Sequence, residues 1–351
     1  MAEFKFRLPD IADLTRKQKK AIRSKKSIFI TGVAGSGKTV VSVFRLQNSK
    51  SSNSALFTYG KLLRLAISNT IDNKDKSIYN IHRWHFDKTK IYLEKSFSDI
   101  NIKTTIEWYK KNNILYDEVL VDEGQDLFPN SYKLFNSLSD NLSISADNAQ
   151  QVYEHGASEE TILEILPNLE KKTLNYNHRN TYEIYNFAKE FVPNNARAND
   201  KNLLDKFPKD DGEKPVIYIK KTLDDTVELI KQILNANKGS NIGILSEDIM
   251  TVNTYREKLK NNFEITSYTS EDKDVPTNLQ NIVLTTFKSS KGMEFDVVIM
   301  PQFQHIRDKN SNQYYIGATR AKTDLYMIAI GKLPDMFENI DISTYKLIKN
   351  I

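Results

Sequence analysis

The chain has 351 residues, more than one core needs and natural for two domains, and it has no cysteine, which excludes disulfides and thiolate metal sites and fits a reducing cytoplasm. Lysine and arginine outnumber aspartate and glutamate 50 to 45, a mildly basic balance compatible with nucleic acid and equally with a solvated lysine-rich surface. No apolar run approaches the roughly 20 residues of a membrane helix. The charged start "MAEFKFRLPDIADLTRKQKK" has no apolar signal core, so a cytoplasmic protein without a membrane partner is expected.

In chain order, residues 11–25 predict a helix, and "KKSIFITGVAGSGKTVVSVFRLQN" then reads as strand, glycine-rich turn and helix. "SSNSALFTYGKLLRLAISN" repeats strand then helix. The block 82–117 is polar and lysine-rich with scattered aromatics, a pattern for short helices. "DEVLVDE" and "NLSISADN" follow as strands, each ending in an acid. A second set is expected to start near Lys171 with "KKTLNYNHR", then a helix over 182–191, "KPVIYIKK", a helix over 224–236, and "NIGILSED". After it come "NIVLTTF", "DVVIMPQ", the amphipathic "YYIGATRAK" and "DLYMIAI". Such alternation predicts α/β domains built on parallel sheets covered by helices on both faces. The expected division is 1–172 and 173–351. The stretches 193–214 and 267–280 read as surface loops, and no repeat stands out.

"GVAGSGKT", Gly32 to Thr39, fits the phosphate-binding pattern G-x-x-x-x-G-K-[ST] and lies between a strand and a helix, as that motif requires. Gly32, Gly35 and Gly37 let the backbone around Ser36 curl so that its N–H groups converge on phosphate oxygens. The helix N-terminus adds positive potential. Lys38 would neutralise the β- and γ-phosphates, and the Thr39 hydroxyl would ligate Mg²⁺.

"EVLVDEGQDLFPN" sets an aliphatic run directly against Asp122, Glu123 and Asp126. The stretch alone allows a buried strand that stops at a polar loop, or a metal-and-water site. Behind a P-loop the second reading gains, because a nucleoside triphosphatase needs a carboxylate for Mg²⁺ and a group to activate water. Asp122 would serve the metal and Glu123 would act as general base.

Together the motifs resemble the superfamily 1 helicases, in the UvrD/Rep-like branch, and in the family's order. "LTRKQKKAI" is similar to the Q motif, "GVAGSGKT" to motif I, "ALFTYGKLL" to Ia, "VDEGQD" to II and "SADNAQQVY" to III. "LNYNHRNT" resembles motif IV, "TTFKSSKGMEF" motif V and "YIGATRAK" motif VI. The resemblance implies two tandem RecA-like P-loop NTPase domains and an ATPase that uses ATP and Mg²⁺. It implies Gln18 at the adenine, Gln150 and Arg179 at the γ-phosphate, Glu294 at the ribose and Arg320 as arginine finger. It also makes Gln125 the residue that couples the ATP site to neighbouring motifs, with Asp126 ordering the loop. Arginines of the second domain would make hydrolysis depend on domain closure. The implied partner is single-stranded nucleic acid, DNA ahead of RNA, with 3′ to 5′ movement.

The chain departs from the family in several places. His178 stands for the tyrosine that stacks on adenine, Ala146 for the motif III glycine, and Lys288 for the motif V histidine. His155 comes one residue early for the tryptophan that stacks on a base. Tyr59, His82, His155 and Lys288 are the candidate strand contacts, although Tyr59 can equally be packed, and His82 with His85 can cap a helix. Zinc fits that histidine pair poorly, since no other ligand cluster accompanies it. The large accessory insertions are missing: each corresponding stretch is only on the order of 35–40 residues, below a typical minimum domain of about 50. Unwinding by the bare motor is therefore in question. An ATP-gated regulatory subunit that senses nucleic acid for a partner such as a nuclease is the rival expectation.

Overall fold

A computed structural model describes residues 3–49, 51–71, 77–151, 155–192, 211–306 and 312–349. Most of the loop expected at 193–214 and the tail of motif III at 152–154 lie outside them. Two compact units form, one of Arg7–Tyr176 and one of Met1–Phe6 with Asn177–Ile351. Each is α/β, a parallel sheet flanked by helices, the architecture of tandem RecA-like domains. Among the described residues no helix is long and apolar enough to cross a membrane.

The strands of the first unit are β1 (Ile28–Gly32), β2 (Ser54–Thr58), β3 (Ser77–Asn80), β4 (Glu118–Val121), β5 (Leu142–Ala146) and β6 (Glu170–Leu174). Their order across the sheet is β3-β2-β4-β5-β1-β6. The central strands β1, β2, β4 and β5 are buried at every residue, as expected for a parallel sheet with both faces covered. β4, β5 and β1 are neighbours, with Val121 opposite Ile144 and Thr31 opposite Ala146, so their carboxyl ends come level. Ligands of open α/β sheets bind at that edge.

β6 departs from the expected organisation. Read as the start of the second set, it instead pairs with β1 along its whole length, from Ile28–Glu170 to Gly32–Leu174. The division expected at 172 and 173 falls inside this strand, and the unit ends at Tyr176. The lysine-rich block forms the helices Ile81–Thr89, Leu93–Ser96 and Ile102–Lys111. Three of its aromatics, Trp84, Phe97 and Tyr109, are core: Trp84 stacks on Tyr109 at 5.0 Å and meets Phe57 edge-on at 4.9 Å.

The second unit has β7 (Val216–Lys220), β8 (Ile242–Ser246), β9 (Thr266–Tyr268), β10 (Ile282–Thr286), β11 (Phe295–Pro301), β12 (Ala321–Ile330) and β13 (Lys346–Lys349), in the order β13-β7-β12-β11-β8-β10-β9. The start of the chain packs here. The Phe4 amide donates to the Leu279 carbonyl at 2.9 Å, and its ring meets Phe295 edge-on at 5.7 Å. β3, β9 and β13 were not evident in the sequence. All three are short edge strands, paired on one side only, so their residues carry little apolar pattern.

Candidate functional site: a nucleotide cradle and its acids

The P-loop lies between β1 and the helix Lys38–Asn48. Gly35 and Gly37 take positive φ, 72° and 85°, which side-chain-bearing residues rarely adopt. Gly37 caps the helix with no side-chain hydrogen bond, leaving the first amides of an eleven-residue helix for another acceptor. The Ser36 hydroxyl is buried and has no partner among the described residues. Such a cradle fits a phosphate chain. Lys38 is folded onto its own loop, donating to the carbonyls of Gly32 at 2.7 Å and Val33 at 3.1 Å and meeting Asp147 at 3.2 Å.

Gln18 sits against this loop rather than apart from it. It completes a capping box with Thr15 at the start of the helix Arg16–Ile22, and its Nε2 donates to the Ser36 carbonyl at 3.1 Å. A Cβ on Gly37 would come within 2.5 Å of that nitrogen, so a side chain there would displace the Gln18 amide from the loop.

The acids arrive at the same edge from β4 and β5. Asp122 follows β4, is buried, and accepts from Thr39 Oγ1 at 2.7 Å and from Ser145 Oγ. Burial, and then the charge of Glu123, push its carboxyl up to about 6, against the hydroxyls of Ser145 and Thr39 and the charge of Lys38. A buried carboxyl beside a threonine hydroxyl is an oxygen donor set that suits a hard divalent cation, whose charge would favour the ionised form. Glu123 has a φ of 56° at the head of the 3-10 turn Gly124–Asp126, a left-handed conformation that side-chain-bearing residues seldom hold. Its Oε2 accepts from Gln125 Nε2 at 2.6 Å, and Gln125 Oε1 accepts from the Asp147 amide at 2.9 Å. The Asp147 carboxylate in turn meets Lys38, and it accepts from Gln150 Nε2 at 2.5 Å. Asp126 is buried in the same turn.

Asp147 is the residue that motif reading missed. The signal was a strand, "NLSISAD", that ends in an acid as β4 does.

The second unit assembles its own cluster at the amino ends of β11 and β12. Asn177 Oδ1 accepts from the amides of Arg179 at 2.9 Å and Asn180 at 3.0 Å, which fixes the loop. Arg179 Nε meets Glu294 at 3.1 Å and its Nη1 donates to the Thr319 carbonyl at 3.2 Å. Lys322 holds the other oxygen of Glu294 at 2.5 Å. Burial would raise the Glu294 carboxyl, but Arg179 and Lys322 outweigh it and hold the group below the usual range. Arg320 is buried, with its guanidinium donating to the carbonyls of Ile316 and Met293, both at 3.3 Å. His178 is exposed.

Residues 240–332 match the family model of the UvrD-like helicase C-terminal domain. Over that stretch the chain is similar to the family. The match agrees with the superfamily 1 resemblance carried by the motifs. A solved structure of the C-terminal domain of a possible DNA helicase from Lactobacillus plantarum WCFS1 is 19% identical with a TM-score of 0.39, covering 48% of this chain and 98% of that one. No curated protein matches.

The candidate strand contacts fall in both units. In the second unit, Lys288 is exposed just past β10. In the first unit, Tyr59 and His82 meet edge-on at 5.0 Å, and His82 lies 3.7 Å from Glu94. Burial lowers the His82 imidazole, Glu94 opposes this, and the charges of His155 and Lys61 add to the lowering, so Tyr59, His82 and His155 share one neighbourhood. His155 stacks on Phe128 at 4.1 Å and 12°. His85 does not join them. It is buried between Tyr109 and Ser96, at 2.9 and 2.8 Å, and is a core histidine rather than a cap.

Proposed function

We propose that the protein is a Mg²⁺-dependent ATPase stimulated by single-stranded nucleic acid, a UvrD-like helicase or translocase that moves 3′ to 5′ on DNA. The observation that carries this reading is the continuous set Thr39–Asp122 and Lys38–Asp147–Gln125–Glu123 at one sheet edge beside the P-loop. In it Thr39 and Asp122 would hold the metal, which when bound supplies charge neutralisation between the phosphates. Lys38 would leave its loop carbonyls for the phosphate oxygens, and Glu123 would take the proton of the attacking water. Gln18, Gly32, Gly35, Ser36 and Gly37 would cradle the nucleotide, with His178 and Glu294 at adenine and ribose. Arg179 and Arg320 would stabilise the γ-phosphate charge, and Gln150 would report on it through Asp147. Steady-state ATP hydrolysis with and without single-stranded DNA tests the reading; turnover indifferent to DNA would sink the motor.

A second reading, an ATP-gated sensor serving a partner such as a nuclease, is favoured by one observation. The block before β4 forms three short helices packed into the first unit's core, with His85 and Tyr109 at their centre, instead of an accessory subdomain. Strand displacement separates the two: a motor opens a duplex alone, a sensor does not.

A further inference from the structure

The carboxyl ends of β7, β12 and β13 line a cleft of about 450 Å³ that no motif accounts for. Four lysines face it: Lys220 ending β7, Lys221 after it, Lys332 just past β12, and Lys349 ending β13. Strand register brings them level. Ile330 lies opposite Lys220, Lys349 lies opposite Ile219, and the Gly331 amide donates to the Lys220 carbonyl at 2.9 Å. Neighbouring strands are about 4.8 Å apart, so the four stems rise from a strip about 10 Å wide. Like charges at that spacing repel and cost stability. Among the described residues that line it none is acidic, so none of them could hold a metal, and none is aromatic, so none of them could stack a base.

Few other groups engage these side chains. Lys332 meets Asp335 at 3.2 Å on open surface, and Lys220 lies 5.9 Å above the Tyr218 ring. An ion pair this exposed is weak, so an incoming phosphate can displace it. The cleft is at the opposite end of the strands from Arg179, Glu294 and Arg320. It shares its sheet edge with Lys288, which follows β10. β8, β11 and β12 lie between β10 and β7, a separation of about 19 Å along the edge.

We propose that this cleft binds the sugar-phosphate backbone of a nucleic-acid strand, at a site separate from the motif-derived contacts and further along the same edge. The proposal rests on the nucleic-acid reading above. Lysines are compact charges on flexible stems, suited to gripping phosphates without reading bases.

The test is binding of a fluorescent oligo-dT strand, read by anisotropy across a salt series, to the full chain and to Lys221→Ala/Lys349→Ala. Both residues are exposed. A single-strand phosphate contact contributes about 0.7 to the slope of log affinity on log salt, so the variant's slope should be shallower by about 1.4. A control, Lys110→Ala/Lys111→Ala on the helix Ile102–Lys111, removes the same charge elsewhere and should change the slope by less than half as much. An unchanged slope in the cleft variant, or an equal change in the control, overturns the cleft and leaves the nucleic-acid reading standing. Failure of the unaltered protein to bind the strand overturns both.

Discussion

Gln125 ties Glu123 to Asp147: its Nε2 donates to the Glu123 carboxylate at 2.6 Å while its Oε1 accepts from the Asp147 amide at 2.9 Å. One side chain thus joins the end of β4 to the end of β5, where Asp147 also meets Lys38. Losing a hydrogen bond to a charged group costs about 1.5–3 kcal/mol. Charged to the barrier, that is about ten- to a hundredfold in rate. Gln125→Ala should lower kcat by that factor and blunt stimulation by DNA, with nucleotide affinity nearly unchanged. Parallel losses in kcat and in equilibrium nucleotide binding would show that Gln125 only supports the fold.

Glu123→Gln separates binding from chemistry. The amide keeps the size of the side chain and can still accept from Gln125, but it cannot take a proton. Removing a general base costs about 10²–10⁴-fold. Hydrolysis should fall within that range while a fluorescent ATP analogue binds as before. Residual turnover near the unaltered rate would move the base elsewhere.

The cradle was legible because its parts are contiguous: glycines, Lys38 and Thr39 sit within one turn, and Asp122 with Glu123 ends one strand. The α/β alternation was legible for the same reason, as central strands are continuous apolar runs. What was hidden depends on distance. Arg179 and Glu294 are 115 positions apart, and nothing local in either says that they pair. β6 read as the start of a second set because an edge strand looks alike beside either sheet, and only its register with β1 decides. Asp147 was visible as an acid ending a strand, but its link to Gln125 depends on β4 and β5 being neighbours, which is a property of topology.

Arg45 and Glu118 form a buried pair that ties the P-loop helix to β4. Arg45 donates from Nε at 3.0 Å and Nη2 at 2.6 Å to Glu118 Oε1, and from Nη1 to the carbonyls of Ala21 and Ser24. The residues are 4% and 8% exposed, so removing one strands the other's charge in the interior. Breaking such a pair costs about 3–5 kcal/mol, whereas replacing both partners by apolar groups is often neutral. Arg45→Met should shift the urea unfolding midpoint of the first unit strongly downward, and Arg45→Met/Glu118→Met should recover much of the loss. No recovery in the double variant would assign the cost to the Ala21 and Ser24 carbonyls instead.

His85 should make the first unit sensitive to mild acid. Burial, and then the charge of His82, lower its imidazole to about 4, with Glu94 opposing. Burial also pushes the Tyr109 hydroxyl up, so it stays protonated and can donate to Nδ1 at 2.9 Å, leaving Nε2–H for Ser96 Oγ at 2.8 Å. A proton on Nδ1 would oppose that donor. Unfolded, the ring titrates near its ordinary value of about 6.5. Between that value and about 4 the unfolded chain binds the extra proton and the folded chain does not, so stability rises with pH across this window and is lost as pH falls through it. The slope from one such group is at most about 1.4 kcal/mol per pH unit. Urea midpoints at pH 7, 6 and 5 should therefore drop more steeply for the unaltered protein than for His85→Gln, which starts less stable but lacks the titration. Equal slopes would mean that the folded protein already accepts the proton on His85.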